Sequence, residues 1–219
     1  MRIAKEGWSF IGIGLAAAAC GVVFARVFGL AEGYVLAAPA ALFAGFCGYF
    51  FRDPDRPRPV DDSKIYSPGD GRVLSVAREG DGDAWTIRIF LSIFDVHIQR
   101  FPCSGTVSKV RYHEGAFAMA MKDEASRNER NVVSIAVEGR GEEVGVEQIA
   151  GLIARRIRCW TWEGERAVAG QRYGLIQFGS QAAVHLPGGA RPLVKPGDRA
   201  VGGVTPVGEW TGASGPAGK

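Results

Sequence analysis

Two uncharged runs open the chain, residues 7–25 and 33–51; after them apolar residues fall into short segments separated by turn residues. Each run is about 20 residues long, enough to cross a hydrocarbon layer of roughly 30 Å as a helix. Only a short link, residues 26–32, joins them, so the pattern predicts a tight helical hairpin. Pro39 stands near the start of the second run, where a helix tolerates it. Beyond Phe51 the period shortens. Residues 85–94 are rich in β-branched and aromatic side chains and predict a strand, as do 71–77, 105–112, 131–138, 144–157, 174–178 and 182–186. Residues 116–130 are polar and irregular and read as a loop with a helical turn. The tail after Gly208 is small and polar and reads as frayed.

Many short strands with glycine turns and almost no helical periodicity predict a mainly β fold, a compact β-sandwich or barrel-like domain behind an N-terminal helical membrane hairpin. The expected division is 1–56, hairpin and exit linker, and 57–219, one domain of ordinary size. Residues 163–171 and 195–203 resemble each other as two hairpins with a lipoyl-like look.

Charge orients the hairpin. Arg2 and Lys5 precede the first run, Arg52, Arg56, Arg58 and Lys64 follow the second, and only Arg26 lies between. The positive-inside rule puts both ends in the cytoplasm, at the cell (inner) membrane. Trp8, Tyr34, Tyr49, Phe50 and Phe51 sit near the run ends, where such rings favour the interface. A cleaved signal peptide fits poorly, since a second apolar run follows the first. A hairpin lying in the interface without spanning stays open. The net charge of +3 is too small to imply nucleic acid, and the basic residues after Phe51 suit anionic lipid head groups. Of four cysteines, Cys20 and Cys47 lie in the apolar runs, and Cys103 and Cys159 form no metal-type pair. No metal site and no nucleotide-binding glycine loop are indicated. A homodimer is the common default for a soluble enzyme.

Gly179-Ser180 is the point where chemistry enters. Gly-Ser is a common turn dipeptide. A serine after a flexible glycine can also attack that glycine's carbonyl, convert the amide to an ester and, by β-elimination and hydrolysis, leave a pyruvoyl group.

Six segments carry a family resemblance, in order along the chain. They are Phe50-Phe51-Arg52-Asp53-Pro54, Ser67-Pro68-Gly69-Asp70-Gly71, Phe94-Asp95-Val96-His97, Asn128-Glu129-Arg130-Asn131, residues 148–157 and Phe178-Gly179-Ser180. With them the chain resembles the short bacterial and archaeal form of phosphatidylserine decarboxylase. The resemblance implies decarboxylation of phosphatidylserine in a membrane to phosphatidylethanolamine, with covalent pyruvate derived from Ser180 as cofactor. It implies a precursor that cuts itself into a β chain ending at Gly179 and an α chain of residues 180–219, which stay associated.

The same resemblance assigns roles. Ser180 is the nucleophile and then the pyruvoyl carbonyl, which condenses with the substrate amine and takes up electron density as carbon dioxide leaves. His97, one of three histidines, is the proton carrier, against the plainer reading of a histidine satisfied at a strand end. Asp70 would orient that histidine as the third member of a triad, against the plainer reading of an Asx turn. Arg155, Arg156, Arg130 and Arg127 are candidates for the substrate phosphate, or else structural ion pairs. The apolar stretch 116–121 is either core or a segment dipping into the bilayer. The chain departs from the family in two places. Arg100 stands where longer members carry a second histidine, leaving open whether His97 serves cutting, decarboxylation or both. Gln181-Ala182-Ala183 replaces the Arg-Val-Asp of many short members. Alternatives from other classes are a membrane-tethered β adaptor without chemistry, and the same reaction on another serine phospholipid such as archaetidylserine.

Overall fold

The computed structural model describes residues 2–59, 61–79, 84–115, 128–151, 156–178 and 180–212, with Ser180 described by its main chain. The stretch 116–121, Arg127, Arg155, Gly179 and the end of the tail lie outside the described residues. Two compact units appear, 1–55 and 56–219.

In the first unit a two-residue strand β1 (Arg2–Ile3) pairs with β2 (Arg52–Asp53), and between them run α1 (Gly7–Phe28) and α2 (Glu32–Phe50). Both helices are long and apolar enough to cross a membrane. They meet through small residues. A Cβ on Gly14 would lie 2.9 Å from the Ala44 Cβ, and one on Gly21 would lie 2.7 Å from the Gly33 carbonyl oxygen. Such close approach is how helices pack in lipid, where burying apolar side chains gives no net gain. Ile13, Leu15, Val23, Val35, Leu36 and Leu42 point outward.

The second unit is mainly β. Its strands, in chain order, are β3 (Lys64–Tyr66), β4 (Gly71–Arg78), β5 (Trp85–Leu91), β6 (Ile98–Arg100), β7 (Gly105–His113), β8 (Arg130–Val137) and β9 (Glu143–Ala150). There follow β10 (Arg156–Cys159), β11 (Arg166–Ala167), β12 (Arg172–Gln177), β13 (Ser180–Leu186), β14 (Ala190–Pro192), β15 (Arg199–Ala200) and β16 (Pro206–Trp210). Eight of them form one antiparallel sheet, curled into a half-barrel, in the order β11-β7-β8-β9-β13-β5-β4-β15. Alternating side chains fill its inner face: Ile87, Ile89 and Leu91 from β5, Val133 and Ile135 from β8, Val144 and Val146 from β9, and Ala182, Val184 and Leu186 from β13. Two three-stranded sheets complete the unit, β10-β12-β6 and β14-β16-β3.

The two similar segments become structural equivalents, and the duplication runs deeper than their sequences show. Arg166-Ala167 pairs with Thr106-Gly105 at one edge of the large sheet, and Arg199-Ala200 with Arg72-Gly71 at the other. Both partner strands begin with glycine and bulge two residues later, after Val107 and after Val73. The glycines answer to the same constraint. A Cβ would strike the Ala136 carbonyl at Gly105 and the Phe90 carbonyl at Gly71, where φ is +154°. The expected strand 144–157 is instead β9 and β10, in different sheets. The expected strand 85–94 stops at Leu91, because the Asp95 carboxylate takes the Ser92 N–H (2.9 Å) and hydroxyl (2.7 Å) and folds residues 92–95 into a turn.

Candidate active site

Ser180 opens β13, an interior strand of the large sheet. Its main chain lies between Leu91 of β5 and Ala150 of β9. The Ala150 carbonyl accepts the buried Asn128 side-chain amide at 2.8 Å, and the Ala150 N–H donates to the Glu129 carbonyl at 2.8 Å. The Asn128-Glu129 pair thus braces the strand beside Ser180. On the other side of Gly179, Phe178 has φ of +66°, the only positive φ of a non-glycine among the described residues. A bulky side chain in the left-handed region carries about 1–3 kcal/mol of strain. That strain sits one residue from the Gly179-Ser180 bond.

His97 is fully buried and tied to both flanks of this bond. Its carbonyl accepts the Ile176 N–H at 3.3 Å, and Ile98 registers with Leu175 of β12, which runs on to Phe178. In the other direction, the 92–95 turn connects His97 to Leu91, the residue opposite Ser180. The ring is oriented by the main chain: Nδ1 lies 3.0 Å from the Asp95 carbonyl. A carbonyl only accepts, so Nδ1 carries the proton and Nε2 of the neutral ring carries the lone pair. Asp95 itself is buried and salt-bridged to Arg199. The turn that aims His97 is therefore fixed by a strand from the second of the duplicated segments.

Asp70 is placed differently from the triad expectation. Its two oxygens accept the Arg56 guanidinium at 2.7 Å each, and Oδ1 also accepts the Gly202 N–H at 2.8 Å. Arg56 Nη1 reaches the Gly202 carbonyl at 2.6 Å. Among the described residues no hydrogen bond joins Asp70 to His97. The carboxylate instead locks the Ser67-Pro68-Gly69-Asp70-Gly71 turn to Gly202. Gly69 in that turn packs against Gln99: a Cβ there would lie 3.0 Å from Nε2 and 3.1 Å from Oε1 of Gln99, and 3.5 Å from the Ala182 Cβ.

Around these residues the interior holds buried amides. Asn131 donates to Gln148 Oε1 at 3.1 Å, and Gln148 Nε2 donates to the Arg158 carbonyl at 3.3 Å. Gln177 and Gln181 are also buried. Two thiols of the second unit are poor nucleophiles: burial pushes Cys103 up to about 12 and raises Cys159 as well. Of the arginine candidates, Arg156 is exposed and pairs across to Gln177, and Arg130 is half-buried, opposite Ile149. Arg56, Asp95, Gln99 and Arg199 were not singled out as site residues from the sequence. Asp95 lies in the Phe94-Asp95-Val96-His97 segment and Arg199 in the second repeat, so both stood within recognisable segments. Arg56 reads as one more cation of the membrane exit.

A sequence profile of the family described as phosphatidylserine decarboxylase matches residues 43–208. The phosphatidylserine decarboxylase proenzyme of Gluconacetobacter diazotrophicus is 47% identical over 179 residues, which cover 78% of this chain and 79% of that protein. The proenzyme of the same name from Symbiobacterium thermophilum is 43% identical over 212 residues, covering 94% of each. The chain therefore belongs to the phosphatidylserine decarboxylase family of enzymes.

Proposed function

We propose that this chain is a membrane-bound precursor that cuts itself between Gly179 and Ser180 and then decarboxylates phosphatidylserine to phosphatidylethanolamine. The observation that carries the reading is the convergence on that one bond of a strained Phe178, an interior strand beginning at Ser180 and a buried His97 tethered to both flanks. The family's proenzyme names support the cutting.

In the cutting step, His97 Nε2 takes the Ser180 hydroxyl proton, and the oxygen attacks the Gly179 carbonyl carbon. The carbon–nitrogen bond breaks, the proton passes to the freed amine, and an ester joins the two residues. Loss of the Ser180 α-proton expels the Gly179 carboxylate and leaves an enamine. Water then replaces the nitrogen, which departs as ammonia, and residue 180 is left as a pyruvoyl group. Strain released at Phe178 favours the cut chain. The buried amide of Gln99, left without a partner beside Ala182, fits a site built for a further polar group.

The pyruvoyl carbonyl supplies an acceptor for the electron pair released when carbon dioxide leaves the substrate. In this reading His97 returns a proton to the substrate α-carbon. Asp70 acts as a positioning residue, holding through Arg56 and Gly202 the turn that packs on Gln99. Arg130 and Arg156 are candidates for the substrate phosphate, and Arg155 shares that role. In this reading the β chain runs to 179 and the α chain from 180, both contributing to the catalytic unit that follows the hairpin. The hairpin holds the enzyme at the cell membrane, its catalytic domain in the cytoplasm. Wild-type protein supplied with phosphatidylserine labelled in the serine carboxyl should release labelled carbon dioxide. Ser180→Ala should remain one chain and release none. An active Ser180→Ala protein would refute the reading.

A further inference from the structure

Gln99 is fully buried on β6, two residues after His97, and neither polar atom of its side-chain amide has a hydrogen-bond partner. Leaving an amide buried and unpaired costs about 1–3 kcal/mol per group. The other buried amides show what the interior does elsewhere: Asn128, Asn131 and Gln148 each reach an oxygen. The unpaired amide is also in a specific place. It packs on Gly69, beside the Asp70 lock, where a Cβ would come within 3.0 Å of it. The same point lies 3.5 Å from Ala182, two residues along the strand from residue 180.

We infer that Gln99 is a head-group-binding residue whose partner arrives with the substrate. This rests on the function proposed above. Nε2 donates to an anionic oxygen of the aminophospholipid head group, and Oε1 accepts from its ammonium before the amine condenses. A glutamine suits a zwitterionic head because one neutral group offers a donor and an acceptor together. The anionic oxygen can come from the serine carboxylate or from the phosphate, and the product separates the two, since it keeps the phosphate and has lost the carboxylate.

The test uses full-length protein in mixed micelles, comparing wild type with Gln99→Leu and Gln99→Met. Both variants should cut to the same two fragments as wild type and unfold at an equal or higher temperature, because an unpaired polar group has been removed. KM for phosphatidylserine should rise roughly 10- to 100-fold, the loss of one hydrogen bond to a charged group, while kcat falls less than about threefold. If inhibition by phosphatidylethanolamine weakens as much as phosphatidylserine binding does, the oxygen is the phosphate's; if it weakens less, through the ammonium contact alone, the oxygen is the carboxylate's. KM within about twofold of wild type in both cut variants would overturn the inference and leave an ordered water as the amide's only partner. Failure of both variants to cut, with a lowered unfolding temperature, would overturn it too and make Gln99 part of the precursor's architecture. A wild-type protein that neither cuts nor releases carbon dioxide would instead strike at the proposed function itself.

Discussion

Replacing Asp70 separates two roles that the same residue could play. The Arg56 and Asp70 side chains are about a tenth exposed, 10% and 13%, and form two charge-assisted hydrogen bonds of 2.7 Å. Asp70→Ala leaves the guanidinium without its counter-charge, holding only the Gly202 carbonyl, and leaves the Gly202 N–H without its acceptor. Breaking a buried ion pair costs about 3–5 kcal/mol, and the residual exposure of this one puts it near 3 kcal/mol. For a unit of this size that is a fall in unfolding temperature of roughly 6–12 °C. Arg56→Met should cost a similar amount, since each charge left behind keeps one Gly202 contact, the carboxylate the N–H and the guanidinium the carbonyl. The double variant Arg56→Met/Asp70→Leu should recover to within about 1 kcal/mol of wild type, because an apolar pair of similar size replaces the charges. The assay is urea unfolding of the four proteins in detergent, run beside a time course of self-cutting that also includes Asp70→Asn. Asp70 as a positioning residue requires Arg56→Met to slow cutting by a factor similar to Asp70→Asn. Cutting abolished by Asp70→Asn but untouched by Arg56→Met would refute this and give Asp70 a direct part in proton transfer.

Phe178→Gly removes the strain of φ +66°, so the precursor should gain about 1 kcal/mol and cut roughly fivefold more slowly in a pulse-labelled time course; equal or faster cutting would show that the strain is idle. Acid should weaken the large sheet. Glu79 is held below its ordinary range by hydrogen bonds from Arg88 at 2.9 and 2.7 Å. Burial alone would raise Glu147, but the His185 hydrogen bond and the charges of His185, Arg88 and Arg130 outweigh it and hold it low. Both carboxyls have folded values below their unfolded ones, so their stabilisation is complete above about pH 4.5 and is lost as pH falls through the lowered values. Glu147→Gln should flatten the acid limb of a pH–stability curve, and Glu79→Gln should do so by under about 1 kcal/mol, since that carboxylate is partly exposed. Gly21→Leu would drive a side chain into the Gly33 carbonyl and force α1 from α2, so spin labels placed at positions 13 and 42 should move apart; an unchanged distance would mean that the small residues do not set the packing.

The hairpin was legible because long uncharged runs admit few other structures, and the strands because alternation marks a sheet with one buried face. Pairing was not legible. Asp95 and Arg199 are 104 positions apart, and no local pattern links them. The duplication showed in sequence only where turns demand particular residues, at 163–171 and 195–203. Its other half, around Gly71 and Gly105, shares little beyond the glycine, set by a close carbonyl, and the bulge that follows. Ser180, His97 and Asp70 were reached through family resemblance. That resemblance carried the expectation of a triad, whereas the carboxylate is spent on Arg56, a cation whose place in the exit segment gave no sign of a partner 14 residues on. Gln99 could not be distinguished in sequence, because an unpaired amide is defined by what surrounds it.

Intact mass of the purified wild-type protein tests the self-cutting directly. Two species are expected, one ending at Gly179 with a free carboxylate and one spanning residues 180–219, lighter by one ammonia than the plain serine-led peptide and blocked to amine reagents. A single uncut chain of 219 residues, or a small fragment that begins with ordinary serine, would contradict it.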